Sequence, residues 1–269
     1  MNFRGDKFSK SRGRTVDVPY FLSRYDPDPL RYYLTAAAPE TRDTEFGWEE
    51  FLERNNNELV ATWGNLVNRM LGFAYKRFDG QVPEPGQLDA ADRQLLAQVE
   101  GGFETVGDLL NACKFRAALG EAIALAREAN VYTFAALSAG LDRKAPWFQI
   151  KEDKAAAATT VYVILGVIDN LKTILSPILP HTAQQLHEYL GYDGQPFGFA
   201  QGKLFGTQHV VEYQEETRSH LALTYDHSGA IGTWAPSDLQ LGQALRRPAP
   251  LFKKLDEELI DEEYVRLGG

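Results

Sequence analysis

Between Thr44 and Phe78 the apolar residues fall at positions 48, 51, 52, 59, 63, 66, 67, 70 and 74. That near-3.6 spacing predicts one long amphipathic helix. Asp79-Gly80 ends it, and Pro83 and Pro85 block its resumption. A second helix is predicted from about Ala90 to Asn111, through Leu95, Leu96, Val99, Phe103, Val106 and Leu110. Gly101-Gly102 sits in its middle at roughly 1 kcal/mol per glycine relative to alanine, so a bend or a close helix contact is expected there. An alanine-rich third helix covers about Phe115 to Tyr132, and a fourth about Asp153 to Leu175. Pro177 and Pro180 stop the fourth, and a short fifth runs from Thr182 to Leu190 and closes at Gly191. Helices joined by short loops define a mainly α bundle.

The pattern changes on both flanks. Near the start, Asp26-Pro27-Asp28-Pro29 can open a helix, with an aspartate as cap and Leu30, Tyr33 and Leu34 on one face. After Gly191, Val210–Tyr213 and Leu221–Tyr225 read as two short strands. Arg246-Arg247-Pro248-Ala249-Pro250-Leu251-Phe252 reads as an extended strap whose apolar end docks on a neighbouring surface, and Asp256 to Leu267 as a short acidic helix.

Composition adds exclusions. Hydrophobic residues make up 44% and charged residues 24%, which suits an ordinary globular protein. The run Ala155–Leu175 is apolar but carries Asp169, Asn170 and Lys172, so a core helix is expected rather than a membrane span. The polar N-terminus has no apolar signal region, and a cytoplasmic location is expected. The single cysteine, Cys113, excludes an internal disulfide or cysteine zinc cluster and is expected to be a buried thiol. His181 and His187 lie six apart, off a common helix face, and no metal site is expected. The net charge of -9 means that any contact with nucleic acid must run through local patches.

Three places carry candidate chemistry. Lys7-Phe8-Ser9-Lys10-Ser11-Arg12-Gly13-Arg14 puts four cations in eight residues among small hydroxyl and glycine neighbours. Such a run suits a loop that gathers phosphate oxygens, and it equally suits a solvated tail. Asn65 and Arg69, four apart, share a helix face, where they could read base edges or serve as surface pairing and capping. Trp147 follows Ala145-Pro146 at a helix start and could stack on a base or belong to the core. Trp48, Trp63 and Trp234 are assigned to packing.

Lys-Phe-Ser-Lys-Ser resembles the KMSKS signature of class I aminoacyl-tRNA synthetases, with Phe8 in the methionine place. The likeness to methionyl-tRNA synthetases continues through Arg24–Leu34, Asn65–Arg69, Lys76–Gly80, Ala145-Pro146-Trp147 and Pro250–Lys253, in the family's order. The resemblance implies a signature loop and connecting module at 1–45. It implies an anticodon-binding helical bundle at 46–190, and 191–269 is expected to be a C-terminal extension. Lys7 and Lys10 would serve catalysis by stabilising ATP phosphates, with Ser9 and Ser11 beside the nucleotide. Asn65, Arg69 and Trp147 would bind the CAU anticodon of tRNA(Met). None of the five histidines forms the family's His-x-Gly-His motif, so the pocket for methionine and ATP is expected to lie outside this sequence. Another class I ligase, a stand-alone tRNA-binding domain and a structural helical domain stay open as alternatives.

Against the family pattern, Thr133–Gly140 and Pro196–Lys203 read as insertions. Eight extra helical residues would carry Trp147 roughly 12 Å along the axis and turn it by roughly 80°. A looped-out insertion is the expectation, with Trp147 on the Asn65/Arg69 side.

Overall fold

A computed structural model describes residues 2–3, 6–7, 16–134, 144–192, 207–214, 219–226 and 233–266. Its helices are α1 Val18–Arg24, α2 Pro27–Ala36, α3 Trp48–Arg54, α4 Asn65–Arg77, α5 Ala90–Asn111, α6 Phe115–Phe134, α7 Pro146–Glu152, α8 Lys154–Leu175, α9 Pro180–Tyr189 and α10 Glu258–Arg266. A π-helical stretch, Asn55–Gly64, joins α3 to α4. Strand β1 (Asn2–Phe3) pairs antiparallel with β2 (Asp6–Lys7) and parallel with β3 (Glu45–Phe46). Strands β4 (Thr207–Gln214) and β5 (Ser219–Asp226) form an antiparallel hairpin in which Val210 faces Leu223.

Helix α8 is the axis of the bundle. Ala157, Val161, Ile164 and Ile168 are fully buried on one face, and Val163, Val167 and Asn170 are buried on another. It packs against α5, α6, α7 and α9. Its length and composition would allow it to cross a membrane, but it is buried inside the protein as the core reading expected. The 48-to-74 stripe is buried at every predicted position. Gly102 supplies the expected close contact: a Cβ there would lie 2.6 Å from Leu125 Cδ1 and 3.1 Å from Ile174 Cδ1. Gly191 has a positive φ of 86°, and a Cβ would sit 1.9 Å from the Ala244 carbonyl oxygen, so only glycine fits between α9 and the returning strap. Burying each large core side chain contributes about 1.5–3 kcal/mol.

A second, aromatic cluster holds Phe21, Tyr33, Phe46, Trp48 and Phe51, with edge-to-face pairs such as Phe46–Trp48 at 5.2 Å. Leu259, Ile260 and Tyr264 of α10 pack on it. The buried Glu263 carboxylate accepts from Tyr25 at 2.8 Å, Arg24 at 3.1 Å and Arg266 at 2.9 Å. The strap docks as expected: Leu251 and Phe252 are buried in the main core, with Phe252 against Gly64.

Four sequence expectations need correction. Helix α3 starts at Trp48, because Glu45–Phe46 pairs with β1, and the winding through Asn55–Gly64 is π rather than α. Asp26 precedes α2 but makes no side-chain cap; Asp28 instead reaches across the fold to cap α9, accepting from Thr182 N at 2.7 Å and Thr182 Oγ1 at 2.8 Å. Burial pushes the Asp28 carboxyl up, and the Thr182 bonds oppose that rise. The buried face of α2 is Pro29, Tyr32 and Tyr33, while Leu34 is exposed. Cys113 is exposed, since it takes the left-handed turn position (φ 56°) between α5 and α6, where the chain reverses at the surface.

A buried polar cluster pins the strap to α8. Asp169 accepts from Lys172, from Ser237 Oγ and from Tyr192 OH, the last at 2.6 Å. Lys172 also lies 3.1 Å from His187 Nδ1 and over the Tyr192 ring. Burial alone would raise the Asp169 carboxyl, but the adjacent Lys172 charge and the hydrogen bonds hold it below the usual range. A depressed folded-state pKa contributes stability that is present above the unfolded value and lost as pH falls through the folded one. Urea unfolding should therefore show stability declining below about pH 4, close to the ordinary carboxylate value. Asp169→Asn should flatten that acid limb while costing about 3–5 kcal/mol at neutral pH, because Lys172 is left buried without its carboxylate. An unchanged acid limb in the variant would remove Asp169 from the explanation.

Candidate nucleic-acid interface

Helix α4 turns two faces outward from the same backbone. Leu66, Val67, Met70, Leu71 and Ala74 are buried, and Asn65 and Arg69 are exposed on the opposite side. Asn65 is the first α-helical residue after the π stretch, and its N–H donates to the Val60 carbonyl five residues back. That wider turn sets the rotational phase at which Asn65 and Arg69 emerge.

Trp147 reaches the same place from a different element. Pro146 opens α7 at a position where its missing N–H costs nothing. Ala145 and Pro146 are buried, and the half-buried indole rests on the main core. The Arg69 guanidinium carbon lies 4.9 Å from the centroid of the indole ring, within cation–π range. The structure therefore brings Arg69 and Trp147 together, with Asn65 one helical turn along. Trp147 is on the side that the looped-out reading requires. Residues 135–143 and 193–206, which hold most of the two expected insertions, lie outside the described residues.

Asp92 holds the ends of the connection in place. Its Oδ1 accepts from Tyr132 OH at 2.5 Å and from Lys144 Nζ at 2.7 Å. The last turns of α6 and the entry to α7 thus meet at one oxygen, whereas twelve residues of continuous helix would set them roughly 18 Å apart. Asp92 also forms a capping box with Asp89, which pairs with Lys144 at 2.6 Å. The Lys144 bond holds the Asp89 carboxyl below its usual range. Burial and the Asp92 bond push the Tyr132 phenol well up. Sequence reasoning missed this hub. The Asp89-x-x-Asp92 spacing at the head of α5 was its legible half, since an acid three residues after a cap is a helix-start signature. Nothing local marks Lys144.

Lys7 lies in β2, its backbone opposite Asn2, and Ser9, Lys10 and Ser11 fall outside the described residues. Trp48 and Trp63 are buried as expected. Trp234 packs edge-on against Phe103 and donates to the Phe103 carbonyl at 2.8 Å, leaving 41% of its surface exposed. Among the described residues no group of three or more His, Cys, Asp or Glu is placed to hold a metal.

Family comparisons agree with this architecture. Residues 1–71 match the family model for class I tRNA synthetases (M), so the chain is of the class I aminoacyl-tRNA synthetase type. Residues 82–203 match the anticodon binding domain of methionyl tRNA ligase. The chain belongs to the methionyl-tRNA synthetase family. It is 53% identical over 269 residues to the methionine–tRNA ligase of Thermomicrobium roseum, covering 99% of this chain and 43% of that one. To the ligase of Chloroflexus aurantiacus it is 52% identical, with 99% and 42% covered. Mycobacterium tuberculosis methionyl-tRNA synthetase in complex with methionyl-adenylate superposes with a TM-score of 0.70 at 27% identity, covering 93% of this chain and 42% of that one. The chain thus spans under half the length of these relatives.

The Arg69–Trp147 contact yields a stability test. In a urea-denaturation double-mutant cycle, Arg69→Ala and Trp147→Ala should couple by about 0.5–1 kcal/mol, the range for a solvent-accessible cation–π pair. Additive effects would mean that the two side chains are merely neighbours.

Proposed function

We propose that this chain is the tRNA-recognising portion of a methionine–tRNA ligase and that Asn65, Arg69 and Trp147 read the CAU anticodon of tRNA(Met). The observation that carries the reading is the Arg69 guanidinium over the Trp147 indole, on the exposed side of α4 that also bears Asn65. A half-buried indole paired with a guanidinium beside an exposed helix face offers a platform for an unstacked base. Arg69 and Asn65 add donors and an acceptor for the base edges. Trp147 then serves both earlier readings, half-buried against the main core and beside Arg69.

In the same proposal Lys7 and Lys10 place positive charge where negative charge develops on the ATP phosphates during adenylate formation, and Ser9 and Ser11 donate short hydrogen bonds there. Methionine and ATP would bind a catalytic portion of the kind present in the longer relatives, and the assembled enzyme would act in cytoplasmic translation. A ligase for another amino acid is separated from this reading by anticodon preference, because only the methionine enzyme requires CAU.

Two measurements test the proposal. Trp147→Ala should weaken binding of a CAU anticodon hairpin by roughly 1–3 kcal/mol, while Trp48→Ala should act mainly on the melting temperature. If Trp147→Ala lowers the melting temperature and leaves RNA affinity intact, the indole is a core residue only. Pyrophosphate exchange with methionine and ATP should stay at background for these 269 residues alone. Exchange above background would show that the adenylate pocket lies within them.

A further inference from the structure

The exposed side of α4 continues beyond Arg69. At 100° per residue, Asn65, Arg69, Gly72 and Lys76 fall within roughly 60° of one another, and Lys76 lies roughly 10 Å along the axis from Arg69. Beside this stripe runs the strap that follows β5. Leu245 N donates to the Gly80 carbonyl at 2.7 Å and Arg246 N to the Tyr189 carbonyl at 2.9 Å, which fixes the strap's course just before Arg247-Pro248. Helix and strap enclose a groove lined by Asn68, Gly72, Tyr75, Lys76, Arg247 and Pro248. Among the described residues no carboxylate lines it, in a chain whose net charge is -9.

Each lining residue has a physical part. Lys76 and Arg247 come from separate elements and bring two cations to one groove. Asn68 offers an amide, and Tyr75, with 37% of its surface exposed, offers a ring and a hydroxyl. Gly72 is the floor: a Cβ there would meet nothing within 4 Å, so its bare backbone leaves room for another chain to approach. Packing does not demand that glycine, which costs roughly 1 kcal/mol relative to alanine inside a helix.

We propose that this groove binds the phosphodiester backbone of the RNA strand running on from the Asn65–Arg69–Trp147 platform. The inference rests on the anticodon reading above and adds a sequence-independent site to it. Lys76 and Arg247 neutralise phosphates, Asn68 and Tyr75 donate to phosphate or ribose oxygens, and Gly72 lets the strand lie close. Such contacts hold register and carry no base preference.

The test uses the whole 269-residue chain, with a hairpin RNA carrying a CAU loop and the same hairpin with an altered loop. Affinity is measured across a series of salt concentrations. The Lys76→Gln/Arg247→Gln double variant should lower the slope of log affinity against log salt by roughly 1.5 and weaken both RNAs by about tenfold, with the ratio between them unchanged. Gly72→Glu, whose Cβ would meet nothing within 4 Å, should weaken both RNAs alike without lowering the melting temperature. Trp147→Ala should instead reduce the ratio. Wild-type slopes in the double variant, or a change confined to the CAU hairpin, would overturn the groove while leaving the anticodon reading standing. A wild-type chain that binds neither hairpin would overturn both.

Discussion

A buried carboxylate must be matched by the groups around it, and at Asp92 that requirement fixes the place where Trp147 meets Arg69. Asp92 is fully buried, and its oxygens serve the head of α5, the end of α6 and the entry to α7 together. Removing one partner from a buried pair costs about 3–5 kcal/mol, far more than an exposed ion pair contributes. The energetic penalty for misplacing Lys144 is therefore large. Lys144 stands two residues before Pro146, so the start of α7 and the indole of Trp147 are held with it. The cation–π contact to Arg69 is weak by itself, and it forms because the stronger interaction has already delivered the ring.

The same logic recurs where the chain returns on itself. Asp28 in α2 caps α9, and Arg31 in α2 donates to the Pro177 and Ile178 carbonyls in the turn before α9. Glu263 in α10 gathers Arg24 and Tyr25 around the aromatic cluster. Asp169 in α8 holds Ser237 of the strap. In each case a buried acid takes partners more than 60 residues away in sequence. These acids divide the work with the apolar stripes. Hydrophobic burial is non-directional and drives the elements together; the buried carboxylates select which arrangement of those elements is stable.

That division explains what was legible in the sequence. The long helices could be read from periodicity because burial acts on every third or fourth residue, and the stripe from Trp48 to Ala74 kept its face even through the π stretch. The winding itself was not legible, since a π turn changes hydrogen-bond partners without changing which residues are apolar. Asp28 misled because its local signal, a proline-flanked acid at a helix start, is the same whether it caps its own helix or a distant one. Cys113 misled because a thiol follows its surroundings, and only the turn geometry put it outside. At the candidate site, the spacing of Asn65 and Arg69 is local and readable. The approach of Trp147 depends on Asp92 and Lys144, which are 52 residues apart and carry no shared pattern.

The acidic surplus of the whole chain does not set the charge balance along the exposed side of α4. Glu58 receives Tyr32 and two arginines, Glu263 receives two arginines and two tyrosines, and Asp92 and Asp169 each hold a lysine. Charges paired inside the fold project little field beyond a Debye length of about 8–10 Å. What an approaching strand meets is the local balance. Along the exposed side of α4 that balance is Arg69, Lys76 and Arg247, with carboxamides and aromatic rings between them. Net charge describes the whole molecule at long range, where salt screens it; recognition happens at contact, where the identity and spacing of a few side chains decide the outcome.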